Sequence, residues 1–474
     1  SKTPLYKQIV LKISGMIDDG SLAAGFRLPS SRTLAQTLRV SRTSVVAAYE
    51  ELWSCGYIDT RQSAYSYVRD INTNPSFSMN DEILSDEKLN SSRIDFLKKE
   101  KSLYYNSSCI DMMSLFPDER TYPVKEMKKC YRKVLERYGE KLFTYADKQG
   151  YQPLRLYLSQ RLKTIGIKVD AQDILITNGT QNSLDLIMRM FKKPQQRIAF
   201  ESPTYANFLS LLKLHGYEYF EIPLKNKRFD YKTFKNEVLK NNNFSFIYLI
   251  PDFQNPTGLT MSKNERNNIL QVCKENDIFI VEDAYEEEMK YLGKIPLPLK
   301  SYDSTGNVIY CGSFSKILFP GIRISWIAAK KSIIEKLTYI KRLSDLSSNL
   351  INQVAIYEFC KNGYYEKHIN QMHRIYKKRM AFFINHIEKH VQPGKIELIV
   401  PEGGYTLWIS IIKSRFSADE VYALFVNKGL MVSPGKIFFH DDSDSLSFRL
   451  SVARLNEEEL EAAAKILSEV LEDV

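Results

Sequence analysis

Apolar residues near the amino terminus recur at the spacing of two short amphipathic helices. In the run Leu28–Leu38, a serine cap is followed by Leu34, Ala35 and Leu38 on one helical face. After a short turn, Ser41 can cap a second helix. The inward positions of that helix are Val45, Ala48, Tyr49 and Leu52. The pattern predicts two helices joined by a turn.

The polar residues at the start of the second helix suit contact with DNA. Arg42, Thr43 and Ser44 are free to face base edges and phosphates, and Arg32 lies close by on the first helix. Residues 59–68 then alternate as a small β-hairpin does. A helix-turn-helix places the start of its second helix in the major groove. This layout predicts such a module, with a plain helical hairpin as the alternative.

Residues 70–108 break the pattern, and alternating elements follow them. The stretch 72–78 is polar and rich in chain breakers, which is typical of a linker. Beyond it, short β-rich runs alternate with helical segments, as in a parallel sheet of βαβ units. These runs are Ile174–Ile176, Arg197–Phe200, Phe246–Ile250, Ile278–Val281, Val308–Tyr310 and Ser325–Ala328, with two later strands at Tyr405–Ile409 and Ser447–Ser451. We therefore predict a DNA-binding module at 1–69, a linker at 70–108 and an α/β module at 109–474 with a smaller α+β end.

Composition narrows the class of protein. The 474 residues are 44% hydrophobic and 26% charged, as in globular proteins of two or three domains. The longest apolar runs are interrupted by charge, and Ser1–Tyr6 lacks the apolar stretch of a secretory signal. The six cysteines form no Cys-x-x-Cys pair, which favours reduced thiols. A net charge of +10 permits a polyanionic partner. We expect a cytoplasmic protein without a membrane span, bound to the nucleoid when it holds DNA.

A lysine in the run Cys311–Arg323 has the surroundings of a cofactor lysine. Lys316 follows a predicted strand and stands next to Ser315, with Ser313 before it and Arg323 after it. Lysine forms a Schiff base with an aldehyde, while hydroxyls and a guanidinium bind phosphate. An aldehyde cofactor that carries a phosphate, pyridoxal 5'-phosphate, satisfies both requirements.

Further residues fit the same cofactor, although each alone has an ordinary structural explanation. Thr180 and Gln181 open a helix where its amino terminus would hold a phosphate. Tyr205 can stack on a flat ring, and Asn255 and Tyr285 can reach a phenolate oxygen. Asp283 ends an apolar strand, where its carboxylate could pair with a protonated pyridine nitrogen. The alternatives are a capped helix, a loop tyrosine, a tight turn and an acidic loop.

Arg449 is predicted to bind a carboxylate. It lies between Phe448 and Leu450 in a strand, and a buried charge there is costly without an anion. The ligand of the module would supply that anion, with a structural salt bridge as the alternative.

Residues 4–68 resemble the GntR-type winged helix. The run Leu28-Pro29-Ser30-Ser31-Arg32-Thr33-Leu34-Ala35 and the run Val40-Ser41-Arg42-Thr43-Ser44-Val45 follow the two patterns of that family. Wings of the family often read Arg-x-Gly-Ser-Gly, whereas this chain has Arg61-Gln62-Ser63-Ala64-Tyr65. The resemblance implies a DNA-binding winged helix.

Residues 110–474 resemble the fold-type-I aminotransferases, most closely the aminoadipate/kynurenine-like branch. The signature Gly312-Ser313-Phe314-Ser315-Lys316, followed by Arg323, is the specific part of the match. The resemblance implies Lys316 as the Schiff-base lysine and Arg449 as the carboxylate clamp. It also implies that Tyr145 reaches the partner subunit's site, and it matches Gly403-Gly404-Tyr405 to a strand of the small domain.

The whole chain resembles the MocR/GabR-type transcription regulators. Such proteins bind operator DNA as dimers, typically head-to-tail, and respond to an effector rather than acting as enzymes. The leading hypothesis is therefore a bacterial regulator that senses an amino compound, or the cofactor itself, with at most vestigial transaminase chemistry. An active aminotransferase with a DNA-binding appendage is the alternative. A structural DNA-bound protein is disfavoured because the cofactor set is complete.

Overall fold

The protein divides into two compact units in a computed structural model. The structure describes residues 3–61, 65–69, 109–291, 293, 295–441 and 446–474. The units are Ser1–Ser92 and Arg93–Val474. The predicted linker at 70–108 and wing positions 62–64 lie outside the described residues. In the described part of the chain, none of the helices combines the length and apolarity that crossing a membrane requires.

The first unit is a three-helix module followed by a hairpin. Its helices are α1 (Leu5–Asp18), α2 (Ser31–Leu38) and α3 (Arg42–Ser54), and its strands are β1 (Ile58–Arg61) and β2 (Tyr65–Val68). The Ser30 hydroxyl accepts the Thr33 amide at the start of α2, and Ser41 accepts the Ser44 amide at the start of α3. These are the predicted serine caps. The strands pair antiparallel, with Ile58 opposite Val68.

The core of this unit follows the helical spacing. The buried side chains include Ala35 of α2 and Val45, Ala48 and Leu52 of α3. Leu38, which the pattern placed on the inner face of α2, is instead 46% exposed. It is the last residue of a helix that ends at Arg39 in the left-handed conformation, so the chain turns away before that position can pack.

The second unit contains the remaining elements. Its helices are α4 (Val124–Tyr138), α5 (Gln152–Thr164), α6 (Thr180–Phe191), α7 (Ala206–His215), α8 (Tyr231–Lys240), α9 (Lys263–Glu275), α10 (Leu299–Tyr302), α11 (Lys331–Asp345), α12 (Leu350–Lys361), α13 (Tyr364–His390), α14 (Ala418–Asn427) and α15 (Glu457–Asp473). Its strands are β3 (Ile110–Asp111), β4 (Ile174–Thr177), β5 (Arg197–Ser202), β6 (Glu218–Lys225), β7 (Arg228–Phe229), β8 (Phe244–Leu249), β9 (Phe279–Ala284), β10 (Val308–Ser313), β11 (Ser325–Ala328), β12 (Ile396–Ile399), β13 (Thr406–Ile411), β14 (Leu430–Met431), β15 (Ser433–Pro434) and β16 (Ser447–Ser451).

An eight-stranded sheet forms the centre of the second unit. Its order is β4-β11-β10-β9-β8-β5-β6-β7. The pairs from β10 through β9, β8 and β5 to β6 are parallel, as the alternating pattern predicts. β11 runs antiparallel to both β10 and β4, because the chain returns directly after the Lys316 turn without a crossover helix. All six strand runs predicted for this sheet are present.

A smaller antiparallel sheet has the order β12-β13-β16-β15 and contains the two later predicted strands. β13 and β16 pair so that Trp408 lies opposite Arg449. Two glycines precede β13, and Gly404 donates its amide to the Met289 carbonyl beyond β9 at 3.0 Å. This contact brings the small sheet to the edge where the parallel strands end. In parallel sheets that edge is where ligands bind.

Candidate functional site

A cavity of about 450 Å³ lies at the carboxyl ends of the parallel strands. It collects residues that are far apart in sequence, because β5, β8, β9 and β10 all end at this edge. Its lining includes Thr180, Gln181, Tyr205, Asn255, Asp283, Tyr285, Ser313, Ser315, Lys316, Arg323 and Arg449. The sequence assigned these residues to one cofactor, apart from Arg449, which it assigned to the carboxylate of an effector, and the fold places all of them around one space.

Asp283 offers an uncommitted carboxylate oxygen at the base of the cavity. The side chain is 2% exposed, and Oδ2 accepts the Tyr248 hydroxyl at 2.8 Å. Oδ1 has no hydrogen-bond partner within the described residues. Burial raises the pKa of Asp283 to about 7, and the Tyr248 hydroxyl and the Lys316 charge oppose this shift. A pyridine N–H would satisfy the free oxygen, so this end of the cavity fits pyridoxal phosphate.

The amino terminus of α6 forms an anion cradle. Gly179, at φ 106°, precedes the helix, and none of the described side chains caps the start of α6. A side chain at position 179 would overlap the Arg323 guanidinium, which donates to the Asn178 carbonyl at 2.7 Å. Glycine is therefore required here to bring the helix terminus beside the cation. This arrangement fits a phosphate.

The two serines of the lysine turn differ in their availability. Ser313 Oγ accepts the Ser315 amide at 3.1 Å and the Ser325 hydroxyl at 2.8 Å, so it supports the turn. Ser315 Oγ is buried and makes no hydrogen bond to any residue described. Ser315 is consequently the better placed of the two to meet a phosphate, a distinction that spacing alone did not give.

Lys316 lies in the turn after β10. Burial lowers its pKa to about 8, while Glu286 and Asp283 oppose the shift. A lysine that loses its proton at lower pH is a better nucleophile near neutrality. Its backbone carbonyl accepts the Tyr405 hydroxyl at 2.6 Å, which holds the turn in place.

The aromatic and amide residues expected around the ring also lie at the cavity, with different bonding from that expected. The Tyr205 hydroxyl accepts the Asn207 amide at 3.1 Å. Asn255 Oδ1 accepts from Arg449, which leaves the Asn255 amide for a ligand. Tyr285 donates to the Phe253 carbonyl at 3.1 Å, so its hydroxyl proton is already engaged.

Arg449 is a buried cation whose partners are neutral. The residue is 8% exposed and donates to Asn255 Oδ1 at 2.9 Å, the Met113 carbonyl at 2.6 Å and Ser433 Oγ at 2.9 Å. Its Nε makes no hydrogen bond within the described chain. Burial lowers the pKa of Arg449 to about 10. The neutral partners contradict the salt-bridge alternative and leave the charge available to an anion.

The sequence did not predict the apolar residues that line the cavity beside Arg449. Met113, Leu115, Ile437 and Phe438 line the cavity, and the Phe438 ring centre lies 4.9 Å from the Arg449 guanidinium carbon. These residues come from the start of the unit and from the segment after β15. Their apolar character gives no signal that distinguishes them from core residues. Tyr145, in contrast, is 81% exposed and does not line the cavity.

The first unit presents the predicted DNA-contacting residues on its surface. Arg32, Arg42 and Thr43 are exposed, whereas Ser44 is half-buried, with its hydroxyl 2.8 Å from that of Ser41. The Ser44 hydroxyl is thus already engaged in the helix cap. A cleft of about 450 Å³ includes Arg32 and Arg42 in its lining. The start of α3 therefore exposes a cationic and polar surface.

The chain matches two families, one for each unit. Residues 115–467 match the family described as aminotransferase class I and II, and residues 5–68 match bacterial regulatory proteins of the gntR family.

Individual proteins resemble either the whole chain or its larger part. The HTH-type transcriptional regulator YdfD of Bacillus subtilis is 31% identical, over 97% of this chain and 95% of its own length. Aromatic-amino-acid aminotransferase 1 of Thermococcus litoralis is 32% identical, over 82% of this chain and 97% of its own. The crystal structure of LysN, the alpha-aminoadipate aminotransferase of Thermus thermophilus, complexed with N-(5'-phosphopyridoxyl)-L-leucine, superposes with a TM-score of 0.74. It is 27% identical and covers 81% of this chain and 96% of its own.

Proposed function

The chain belongs to the aminotransferase class I and II family and carries a GntR-type module in front of that domain, and from this premise we propose that it senses an amino compound and responds by changing its affinity for DNA. It is a DNA-binding regulator with an aminotransferase-like domain, and pyridoxal 5'-phosphate is the cofactor of that domain. We propose, in addition, the chemical class of the sensed compound and the role of each residue in the cavity.

The observation that carries the proposal is the buried, uncommitted polarity of the cavity. Asp283 Oδ1, Ser315 Oγ and Arg449 Nε are all buried without a hydrogen-bond partner among the residues described. Buried polar groups left unsatisfied cost about 1–3 kcal/mol each. Three of them around one cavity indicate a site completed by ligands.

The residues present would hold the cofactor by its two ends. Asp283 would accept the pyridine N–H, and the α6 amides, Ser315 and Arg323 would hold the phosphate. Tyr205 would cover the ring, and the Asn255 amide would reach its phenolate oxygen. When bound, pyridoxal phosphate supplies an aldehyde that condenses with primary amines.

Arg449 would then orient the carboxylate of the sensed compound. A guanidinium binds a carboxylate through two parallel hydrogen bonds, and a dry surrounding strengthens them. Because Asn255 contacts both Arg449 and the proposed phenolate region, binding of a carboxylate would alter the same hydrogen-bond network that holds the cofactor. We propose an amino acid or a similar amino carboxylate as the effector, with the cofactor itself as the alternative signal.

A second candidate function is catalysis of transamination. The lowered pKa of Lys316 supports it, because a neutral amine near physiological pH can move a proton at a substrate carbon. The similarity to an aromatic-amino-acid aminotransferase supports it as well. Sensing requires only binding, whereas catalysis also requires product release.

The two candidates separate in one experiment on the full-length protein. Purified protein loaded with pyridoxal phosphate is mixed with single amino acids, and the visible spectrum, keto-acid product and affinity for promoter DNA are measured together. A regulator shows a spectral change and altered DNA affinity without multiple turnovers. Sustained product formation with unchanged DNA affinity would overturn the regulatory proposal.

DNA recognition is assigned to the start of α3. We propose that Arg42 and Thr43 meet base edges or phosphates in the major groove, that Arg32 contacts the backbone from α2, and that Ser44 acts mainly through its cap. The protein would work in the cytoplasm, on the chromosome.

Exposed apolar residues near the phosphate cradle support a homodimer. Phe143 and Tyr145 are 71% and 81% exposed, and Leu343 and Leu346 are 78% and 55% exposed. The two segments adjoin, since the Ala146 amide donates to Ser347 Oγ at 3.2 Å. Asp345 beside them accepts the Asn178 amide at 2.6 Å. A second copy on this surface, in the expected head-to-tail arrangement, would bring Tyr145 of the partner subunit towards the phosphate.

A further inference from the structure

Glu286 is a buried carboxylate that none of the roles above uses. The residue is 1% exposed and directly follows Tyr285, which lines the cavity. Its Oε2 accepts the Tyr405 amide at 3.2 Å, whereas Oε1 makes no hydrogen bond to a described residue. A carboxylate buried with one hydrogen bond is costly. Its position therefore calls for a compensating charge.

The hydrogen bonds of Tyr405 connect Glu286 to Lys316. Tyr405 is fully buried and packs against the Tyr376 ring at 4.4 Å. Its amide donates to the Glu286 carboxylate, and its hydroxyl donates to the Lys316 carbonyl at 2.6 Å. One rigid residue thus fixes the carboxylate relative to the backbone of the lysine.

The glycine turn before β13 makes room for this carboxylate. Gly404 has φ +71°, and a side chain there would overlap Glu286 Oε2 and Phe253. The Gly404 amide donates to Met289, and its carbonyl accepts the Tyr291 hydroxyl. Glu286 therefore lies where the end of β9 meets the small sheet that carries Arg449.

The charges around Lys316 leave Glu286 as its main counter-charge. The charged groups that act most strongly on Lys316 are, in order, Glu286, Arg449, Asp283 and Arg323. Asp283 is already bonded to Tyr248 and faces the proposed pyridine nitrogen. Burial raises the pKa of Glu286 to about 7, and the opposing causes are, in order, Lys316, the Tyr405 amide, Arg449 and Tyr285. The Glu286 carboxylate thus favours the charged form of both Lys316 and Arg449, whereas the two cations repel each other.

We propose that Glu286 is a positioning residue that supplies the counter-charge for Lys316 and Arg449 and so determines how readily the nitrogen of Lys316 holds a proton. The inference rests on the proposed attachment of the cofactor to Lys316.

The test is the pH titration of the visible band of the protein loaded with pyridoxal phosphate. Glu286→Gln can keep the hydrogen bond to the Tyr405 amide but removes the charge. An opposite charge nearby favours a protonated nitrogen by about 1–3 pH units, so the midpoint should fall by about one unit or more. Glu286→Asp keeps the charge but moves it away from Lys316, so its midpoint should fall by clearly less than that of Glu286→Gln.

Glu287→Gln is the matched control. Glu287 is the next residue and is also buried, but it pairs with Lys290 at 2.7 Å and is not among the charges that act most strongly on Lys316. Its midpoint should stay at the wild-type value. An unchanged midpoint in Glu286→Gln, or an equal shift in Glu287→Gln, would overturn the inference.

Two further results have a defined meaning: a Glu286→Gln variant that does not fold, and a wild-type protein that shows no visible band. If Glu286→Gln does not fold, Glu286→Asp must show a smaller shift in the same direction, because its shorter side chain moves the charge away from Lys316. An unshifted Asp variant would then count against the inference. Wild-type protein without any visible band would instead reject the attachment to Lys316, and so the failure of the proposed function is distinguishable.

Discussion

Arg449 and Arg42 are both proposed to bind an anion, yet their solvent exposure and hydrogen bonding in the structure are opposite. Arg449 is 8% exposed and fixed by three neutral oxygens, whereas Arg42 is exposed at the start of α3. The folding of the second unit has already removed water from Arg449, so its ligand meets a preorganised charge. Arg42 is exposed to solvent and, in the proposed role, would lose water only when DNA binds. The affinity for the effector should thus be sensitive to the loss of single side-chain groups, and the affinity for DNA should be sensitive to the salt concentration.

Removal of the lysine should have the largest effect. Lys316→Ala eliminates the amine that attaches the cofactor, and we expect the visible absorbance band to disappear completely. Absorbance of protein reconstituted with pyridoxal phosphate measures this. Lys331→Ala, on the outer surface of α11, is the control and should keep the band. A band that survives in Lys316→Ala would show that another group holds the cofactor.

Arg449→Ala should keep the cofactor but weaken the effector response. Charge-assisted hydrogen bonds contribute about 1.5–3 kcal/mol, which corresponds to roughly a ten- to hundredfold loss of affinity. Titration of the visible spectrum with amino acids measures it. Ser433→Ala removes only one neutral partner of the guanidinium and should cost less. Equal responses from Arg449→Ala and wild type would indicate that the cofactor itself is the signal.

Arg42→Ala should weaken DNA binding by about 1–3 kcal/mol if the side chain contacts a base. A phosphate contact would instead weaken all sequences equally and reduce the salt dependence. Titrations with operator and scrambled DNA at two salt concentrations separate these results. Lys12→Ala removes the same charge from α1 and serves as the control. Unaltered operator affinity in Arg42→Ala at both salts would remove α3 from recognition.

The smallest expected effect is a pH dependence confined to the second unit. Burial raises the pKa of Glu201 to about 8, and the hydrogen bond from the Ile250 amide is the largest cause that opposes this shift. The folded protein therefore keeps a proton that the unfolded chain releases near pH 4. The stabilisation is complete below the unfolded pKa and is lost as pH rises through about 8. Between pH 6 and pH 7, unfolding free energy should fall by up to about 1.4 kcal/mol from this group.

Denaturant unfolding of the cofactor-free protein at the two pH values measures this slope. Glu201→Gln should make the slope smaller by this amount, and the other buried carboxylates, such as Asp283 and Glu286, should supply the rest. Glu50→Gln, an exposed change in the first unit, should leave the slope unaltered. A wild-type slope in Glu201→Gln would show that Glu201 stays charged in the fold.

The elements of both units were largely predictable because their patterns are local. The spacing of Val45, Ala48 and Leu52 defines α3, and the serine caps define where α2 and α3 begin. β6 and β7 were not predicted, because partly buried aromatic residues and a proline interrupt the alternation in Glu218–Lys225 and because β7 has only two residues. The direction of β11 depends on its neighbours and not on its own residues.

The sequence by itself determined which chemical groups the protein possesses: a lysine preceded by two serines, an aspartate at a strand end, an arginine within a strand and a polar helix start. These follow from residue type and short spacing. Only the tertiary structure decided which of their atoms are free. Ser315 is available while Ser313 is not. The hydrogen bonds of Arg449 go to neutral oxygens, and Glu286 is connected to Lys316 through Tyr405. Several of these hydrogen bonds join residues that lie more than a hundred positions apart, and only folding brings those residues together and removes water from them.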